Sequence, residues 1–198
     1  MPAASGPASA DRWVSSWEIS VKRSRFVTTA LATTLAACVT ATASVASASG
    51  EGVTRTTADR TTLAHVRDVT AKYRDVEAAL ADGYLPTDDC VASPDGGMGL
   101  HYVNPALLGD LDPDHPPVLL YSPEGHRRTL MGAEWFQPDA DQDLTTDADR
   151  PSLFGHAFQG PMLGHEPGMP IHYDLHVWAW RANPARDFSP WNPAVHCG

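Results

Sequence analysis

Residues 171–180 read Ile-His-Tyr-Asp-Leu-His-Val-Trp-Ala-Trp, and this stretch decides the fold. It is rich in β-branched and aromatic residues, and its side chains alternate in character, which predicts a β-strand. Because successive side chains of a strand point to opposite faces, one face is an ordinary core face made of Ile171, Tyr173, Leu175, Val177 and Ala179. The opposite face carries His172, Asp174, His176, Trp178 and Trp180. A face of this composition is not typical of a solvated surface, and it predicts the lining of a pocket.

The rest of the chain adds a helix and further short strands. Residues 57–82 repeat apolar side chains at three- and four-residue spacing, which predicts an amphipathic helix that stops at Gly83. Short apolar runs predict strands at residues 100–103, 118–121 and 129–136. The last two form a hairpin through the Pro- and Gly-containing turn at 122–125, and residues 137–169 are mostly loop. We therefore expect an α+β domain with one N-terminal amphipathic helix packed on a small antiparallel β-sheet, long loops and one disulfide.

The N-terminal part of the chain has the layout of a secretory signal. A basic cluster at residues 22–25 precedes an uncharged, weakly apolar run over 26–48 that ends in small residues. A transmembrane helix is the competing interpretation. Alternatively, residues 35–38 resemble a lipobox, which would make Cys38 a lipidated N-terminus and the following stretch a tether. We expect a gene-model extension at 1–20, a signal peptide at 21–48, a flexible N-terminus at 49–56 and a single globular domain at 57–198.

Charge and cysteine usage agree with export. The formal net charge of −10 argues against nucleic acid or an anionic membrane as a partner. We expect a small molecule or metal ion instead, with membrane contact only through an N-terminal lipid anchor. Cys90 and Cys197 form an even pair, which in an oxidising compartment predicts one disulfide; metal ligation or free thiols are the alternatives. The expected location is extracellular or in the cell envelope.

Several segments also resemble a family of exported bacterial proteins. They are residues 97–105 (GMGLHYVNP), 149–155 (DRPSLFG), 165–180 (HEPGMPIHYDLHVWAW), the Asn-Pro pairs at 183–184 and 192–193, and Cys197. The resemblance covers about residues 60–198. It implies secretion and a single domain, and it implies no particular reaction.

Spacing restricts what the polar face of residues 171–180 can bind. His172 and His176 are about 13 Å apart on an extended strand, too far for one tetrahedral ion unless the strand bends. Further ligands must come from other strands, and the best candidates are His101 and Glu134. We predict a divalent-metal site (zinc, copper, iron or manganese) with His101, Glu134, His172 and His176 as ligands. If the protein is an enzyme, Asp174 is the catalytic acid/base group or a second-sphere residue.

Two alternatives remain open at this stage. The His/Asp cluster is equally consistent with a structural hydrogen-bond network in a non-catalytic secreted or cell-envelope protein that binds a ligand or serves a structural role. In the acidic loop, Asp139, Asp141 and Asp143 begin like a calcium loop, but Leu144 stands where glycine is needed and Arg150 where the bidentate glutamate is needed. A solvated loop is therefore favoured there over a calcium site.

Overall fold

The computed structural model describes residues 55–125, 127–165 and 168–197. The described chain mixes helix with antiparallel sheet and contains one disulfide, which confirms the expected combination. The helices are α1 (Thr57–Thr70) and α2 (Val76–Ala81), joined by a 3₁₀ turn at Ala71–Arg74. The strands are β1 (Leu85–Ser93), β2 (Gly96–Val103), β3 (Val118–Tyr121), β4 (Leu130–Pro138), β5 (Ser152–Leu153), β6 (His156–Ala157), β7 (Gln159–Met162) and β8 (His172–Val177).

The segment predicted as one helix is divided into two. Thr56 caps α1 in a reciprocal capping box with Asp59. At the other end of α1 the buried Thr70 hydroxyl donates to the Val66 carbonyl and accepts the indole N–H of Trp180. Such back-bonding by threonine competes with helix continuation, and the chain tightens into the 3₁₀ turn before α2 begins. The predicted stop at Gly83 is present, with φ of +92°.

The main sheet is antiparallel throughout, with the strand order β1-β2-β3-β4-β8-β7. One face, here called the helix face, buries the alternate residues of β2, β3, β4 and β8 against Leu63 and Val66 of α1. The other, here called the far face, carries a smaller apolar cluster: Val103, Val118, Leu120, Met131, Trp178 and Val195. Covering both faces leaves a polar residue on the central strands shielded from water.

Strand β8 confirms most of the alternation expected for it. Tyr173, Leu175 and Val177 lie in the core of the helix face. Trp180 was expected beside the histidines and this is wrong, because the strand ends at Val177 and the next residues turn. Its ring packs instead against the core of the helix face, where its N–H reaches α1. The predicted β3–β4 hairpin is confirmed, whereas β1, β7 and the β5–β6 hairpin were not predicted.

The disulfide between Cys90 and Cys197 ties β1 to the end of the chain, as predicted. Next to it Gly97 and Asn192 exchange backbone hydrogen bonds at 3.1 and 3.2 Å. An added Cβ at Gly97 would meet the Val195 carbonyl oxygen at 2.9 Å, so glycine allows this close approach. The last residues are thereby fixed across the edge of the sheet.

The predictions for the N-terminal part of the chain mostly lie outside the described residues. These are the gene-model extension at 1–20, the signal peptide at 21–48, lipidation of Cys38 and most of the flexible segment 49–56. Of that segment the structure describes only Arg55, which pairs with Asp187, and Thr56, which caps α1. Among the helices that the structure describes, none combines the length and apolar character needed to span a bilayer.

Candidate metal centre

Three strands bring His101, Glu134 and His176 together on the far face. Glu134 of β4 lies directly opposite His176 of β8, so their side chains are neighbours on the same face. His101 lies on β2, with β3 between it and β4. Its partner on β3 is Leu120, and Glu134 pairs with Val118, so His101 approaches the glutamate diagonally across β3.

Two of the three donor-atom distances in this group match the spacing of metal ligands. Glu134 Oε2 lies 3.2 Å from His101 Nε2 and 3.5 Å from His176 Nε2. One ligand atom from each residue falls within 4.8 Å of the other two. Nitrogen and oxygen ligands at about 2.0–2.1 Å from a tetrahedral ion stand about 3.3 Å from one another. Both measured pairs are close to that value.

The group is buried, yet its polar atoms are not satisfied by hydrogen bonds. The His176 side chain is 0% exposed and that of Glu134 is 5% exposed. Among the described residues, Glu134 Oε2 and both ring nitrogens of His176 find no hydrogen-bond partner. The close contacts therefore lack the direction of hydrogen bonds. Since buried polar groups are almost always paired, a metal ion at the centre of the group could satisfy them by accepting a lone pair from each residue.

The electrostatics of the group favour charge on both partners when no metal is present. Burial alone raises the pKa of Glu134, but the nearby His176 and then His101 lower it well below its ordinary value. Burial alone lowers the pKa of His176, but Glu134 and then Asp174 raise it. The charge of Glu134 therefore favours a cation beside it. Without metal that cation is the protonated His176 ring, and a bound metal ion would take the place of the ring proton.

Asp174 stands behind the group. Its Oδ1 lies 3.5 Å from His176 Nδ1, the ring nitrogen that faces away from Glu134. A carboxylate on the outer nitrogen of a ligating histidine fixes the tautomer and the ring orientation. This geometry suits a residue that positions His176, and it does not bring Asp174 to the centre of the group.

The four ligands expected from the sequence are divided by the structure. His172 pairs with Pro138 on β4, at the far end of β8 from His176, and it is not part of the His101 group. It groups instead with His165 and Asp174, whose donor atoms also lie within 4.8 Å of one another. The physical reason is the strand rise, which separates residues four apart by about 13 Å and is not relieved by a bend.

His165 is the site residue that sequence reasoning did not assign. Its signal was its place in the histidine-rich segment 165–180, but no spacing rule connects a loop residue with a strand seven residues later. Its ring stands nearly perpendicular to that of His172, with centroids 5.3 Å apart.

The acidic loop is arranged differently. The Asp143 N–H donates to both Asp139 and Asp141, and the Asp143 carboxylate accepts from Thr145. Neighbouring donors of the loop therefore occupy at least one oxygen of each of these carboxylates, whereas the buried Asp139 Oδ1 finds no hydrogen-bond partner among the described residues. Within the described ranges, Asp139, Asp141 and Asp143 do not converge as a ligand group.

Comparison with known proteins adds no assignment. No protein-family model matches the chain, and no curated protein or solved structure matches it. The resemblance drawn from the sequence motifs accordingly stays a prediction, and the case for function rests on the geometry of the His101 group.

Proposed function

We propose that this is an exported protein that binds a divalent metal ion through His101, Glu134 and His176. The observation that carries the proposal is the convergence of one donor atom from each of three residues, of which the buried Glu134 and His176 atoms find no hydrogen-bond partner among the described residues. Two imidazoles and one carboxylate form a ligand set used by zinc, iron and manganese, and imidazole also suits copper.

The number of ligands favours a reactive ion over a structural one. Structural zinc sites are usually closed by four protein ligands, whereas catalytic sites use three and leave a position for water or substrate. Of the three side chains, His101 is the most exposed, at 13%, which marks the side from which a small molecule would approach. A metal-dependent enzyme is therefore the more specific proposal, because water or substrate would bind at the coordination position that the three protein ligands leave open. Asp174 would orient His176 rather than act on substrate.

Export is part of the same proposal. A disulfide that joins the first strand to the last residues persists in oxidising compartments and is rare in the cytosol. Together with the signal-like segment at 21–48, it supports an extracellular or cell-envelope location.

One observation favours the alternative, a non-catalytic protein with a structural network. His101, Glu134, His176 and Asp174 form a continuous chain of alternating imidazoles and carboxylates, each within 3.5 Å of the next. Such a chain can fix a unique polar arrangement without any ion. The two functions differ in one measurable respect, which is whether the purified protein holds metal.

The test is elemental analysis and zinc titration of the protein purified without a histidine tag. We expect one equivalent of metal at this site, lost in His101→Ala and in Glu134→Gln. His115→Ala is the matched control, since that histidine is 66% exposed and pairs only with Asp112 in its own loop. If the wild type holds no metal, takes up no zinc and melts at the same temperature with and without chelator, the structural network is correct and the proposal is wrong.

A further inference from the structure

We propose a second divalent-metal site on the far face, formed by His165, His172 and Asp174. It has the same composition as the first, two imidazoles and one carboxylate, and its three donor atoms also lie within 4.8 Å of one another. This second site lies toward the other end of β8 and does not require the first site to be filled.

The surroundings of His172 fix its tautomer and leave its Nε2 atom available as a metal ligand. Its Nδ1 lies 3.1 Å from the Pro170 carbonyl oxygen. A carbonyl accepts only from N–H, so Nδ1 carries the proton and Nε2 keeps a lone pair. The ring is 0% exposed and stacks on Phe136 at 4.6 Å, which holds its orientation. Within the described ranges Nε2 has no hydrogen-bond partner, although burying such an acceptor unpaired costs about 1–3 kcal/mol.

Asp174 supplies the negative charge. It is 1% exposed, and no described residue forms a hydrogen bond with its Oδ1. Within ion-pair distance, the described residues offer it only the ring of His176, which Glu134 approaches equally closely. A buried carboxylate without a dedicated cation is costly, and a bound ion removes that cost.

His165 completes the group from the surface. It is exposed, its backbone N–H contacts the Met169 sulfur, and its ring meets the His172 ring edge to face. Two buried donors capped by one exposed imidazole leave the ion open to solvent on the side of residue 165. This is the arrangement of a site that exchanges metal readily.

The two ions would not share a bridging ligand, but Asp174 would link the two sites. The strand rise puts His172 and His176 about 13 Å apart, so a bridged pair at about 3.5–4 Å is excluded by the backbone. Asp174 lies between them and contacts the outer nitrogen of His176 while it belongs to the ligand set of the second ion. An ion at the second site would therefore fix the residue that orients a ligand of the first.

The experiment is zinc titration of the full mature chain, without a tag, by calorimetry and equilibrium dialysis. We expect two equivalents in the wild type, one in His165→Ala and one in Glu134→Gln, with His115→Ala unchanged at two. Because His165 is exposed, its replacement leaves the fold intact and tests the ligand alone. His172→Gln should lose the same equivalent as His165→Ala, with a loss of affinity of at least tenfold.

The outcomes separate this site from the first. A single equivalent that disappears in Glu134→Gln and is unaffected by His165→Ala would overturn the second site and leave the proposed function standing. Two equivalents that both survive His165→Ala and His172→Gln would place the second ion elsewhere and also overturn it. If no zinc binds at all, both proposals are wrong.

Discussion

Replacing Glu134 by glutamine tests the electrostatic role of this residue without changing the shape of the side chain. The buried ring of His176 keeps its surroundings in Glu134→Gln but loses the charge that offsets its burial. Removing one partner of a buried ion pair costs about 3–5 kcal/mol. The lower end applies here because an imidazole can release its proton, and because His101 is reached by water. We expect the free energy of unfolding of the metal-free protein to fall by about 3 kcal/mol in this variant.

The pH dependence gives this prediction its direction. The pKa of His176 is raised by Glu134 and Asp174 in spite of burial, so its contribution is fully present below about pH 6.5 and is lost as pH rises through the raised value. The pKa of Glu134 is lowered by His176 in spite of burial, so its contribution is present above about pH 4.3 and is lost as pH falls through the lowered value. The loss of unfolding free energy in Glu134→Gln, relative to the wild type, should be largest between these two pH values and should shrink toward pH 9.

The assay is thermal unfolding in chelator at pH 5.5 and pH 9. For a domain of this size, 3 kcal/mol corresponds to a fall in Tm of roughly 6–12 °C. Glu124→Gln is the matched control: its carboxylate is 48% exposed and lies 3.5 Å from Arg181, so its loss should stay within about 0.5 kcal/mol. A Glu134→Gln protein that melts within 2 °C of the wild type at pH 5.5 would refute the reasoning, as would a deficit that is equal at both pH values.

The remaining predictions concern the frame of the site and its loading. Replacing Cys90 and Cys197 together by serine removes the cross-link between residues 107 positions apart in the sequence. The free energy of unfolding should fall by up to about 4.7 kcal/mol, which would be measured as a lower urea midpoint. An unchanged midpoint would contradict the chain-entropy model. Gly132→Ala places a Cβ against the Val177 carbonyl of the neighbouring strand and should lower the free energy of unfolding by about 3 kcal/mol. Gly125→Ala is the control and should cost about 1 kcal/mol, because its added Cβ meets nothing and only the positive φ is unfavourable. Equal thermal shifts in the two variants would show that β4 and β8 can separate at no cost. Zinc uptake should release protons. As pH falls from 7 to 5, binding should weaken by up to about tenfold per pH unit for each ligating imidazole, because these imidazoles must be neutral; calorimetry in buffers of different ionisation enthalpy would reveal a lack of proton release.

Local pattern explains how much of this structure the sequence could predict. The two-residue period of residues 171–180 was enough to separate the core residues Tyr173, Leu175 and Val177 from the histidines. The β3–β4 hairpin was predictable for the same kind of reason, since its turn lies within a few residues of both strands. Each of these inferences depends on neighbours in the chain.

What the sequence did not predict depends on contacts between distant segments. The helix over 57–82 breaks at Thr70, whose hydroxyl donates to the Val66 carbonyl and also accepts from Trp180, far along the chain. The ligand set divides because strand register decides which residue faces Glu134, and a shift of two residues moves a side chain by about 7 Å. Register places His176 opposite Glu134 and leaves His172 opposite Pro138. No rule of composition or spacing contains that choice.

The order of the strands has a consequence for when the far face can form. Strand β8 is the last to be synthesised, yet it sits between β4 and β7, and the end of the chain closes on β1 and β2. A nascent chain that still lacks these segments holds His101 and Glu134 without His176 to complete the group. If the proposed function is correct, metal is loaded only after β8 has been made, and the disulfide of Cys197 forms later still. This order suits the proposed export, because a chain that completes its site and its disulfide last can cross a membrane unfolded.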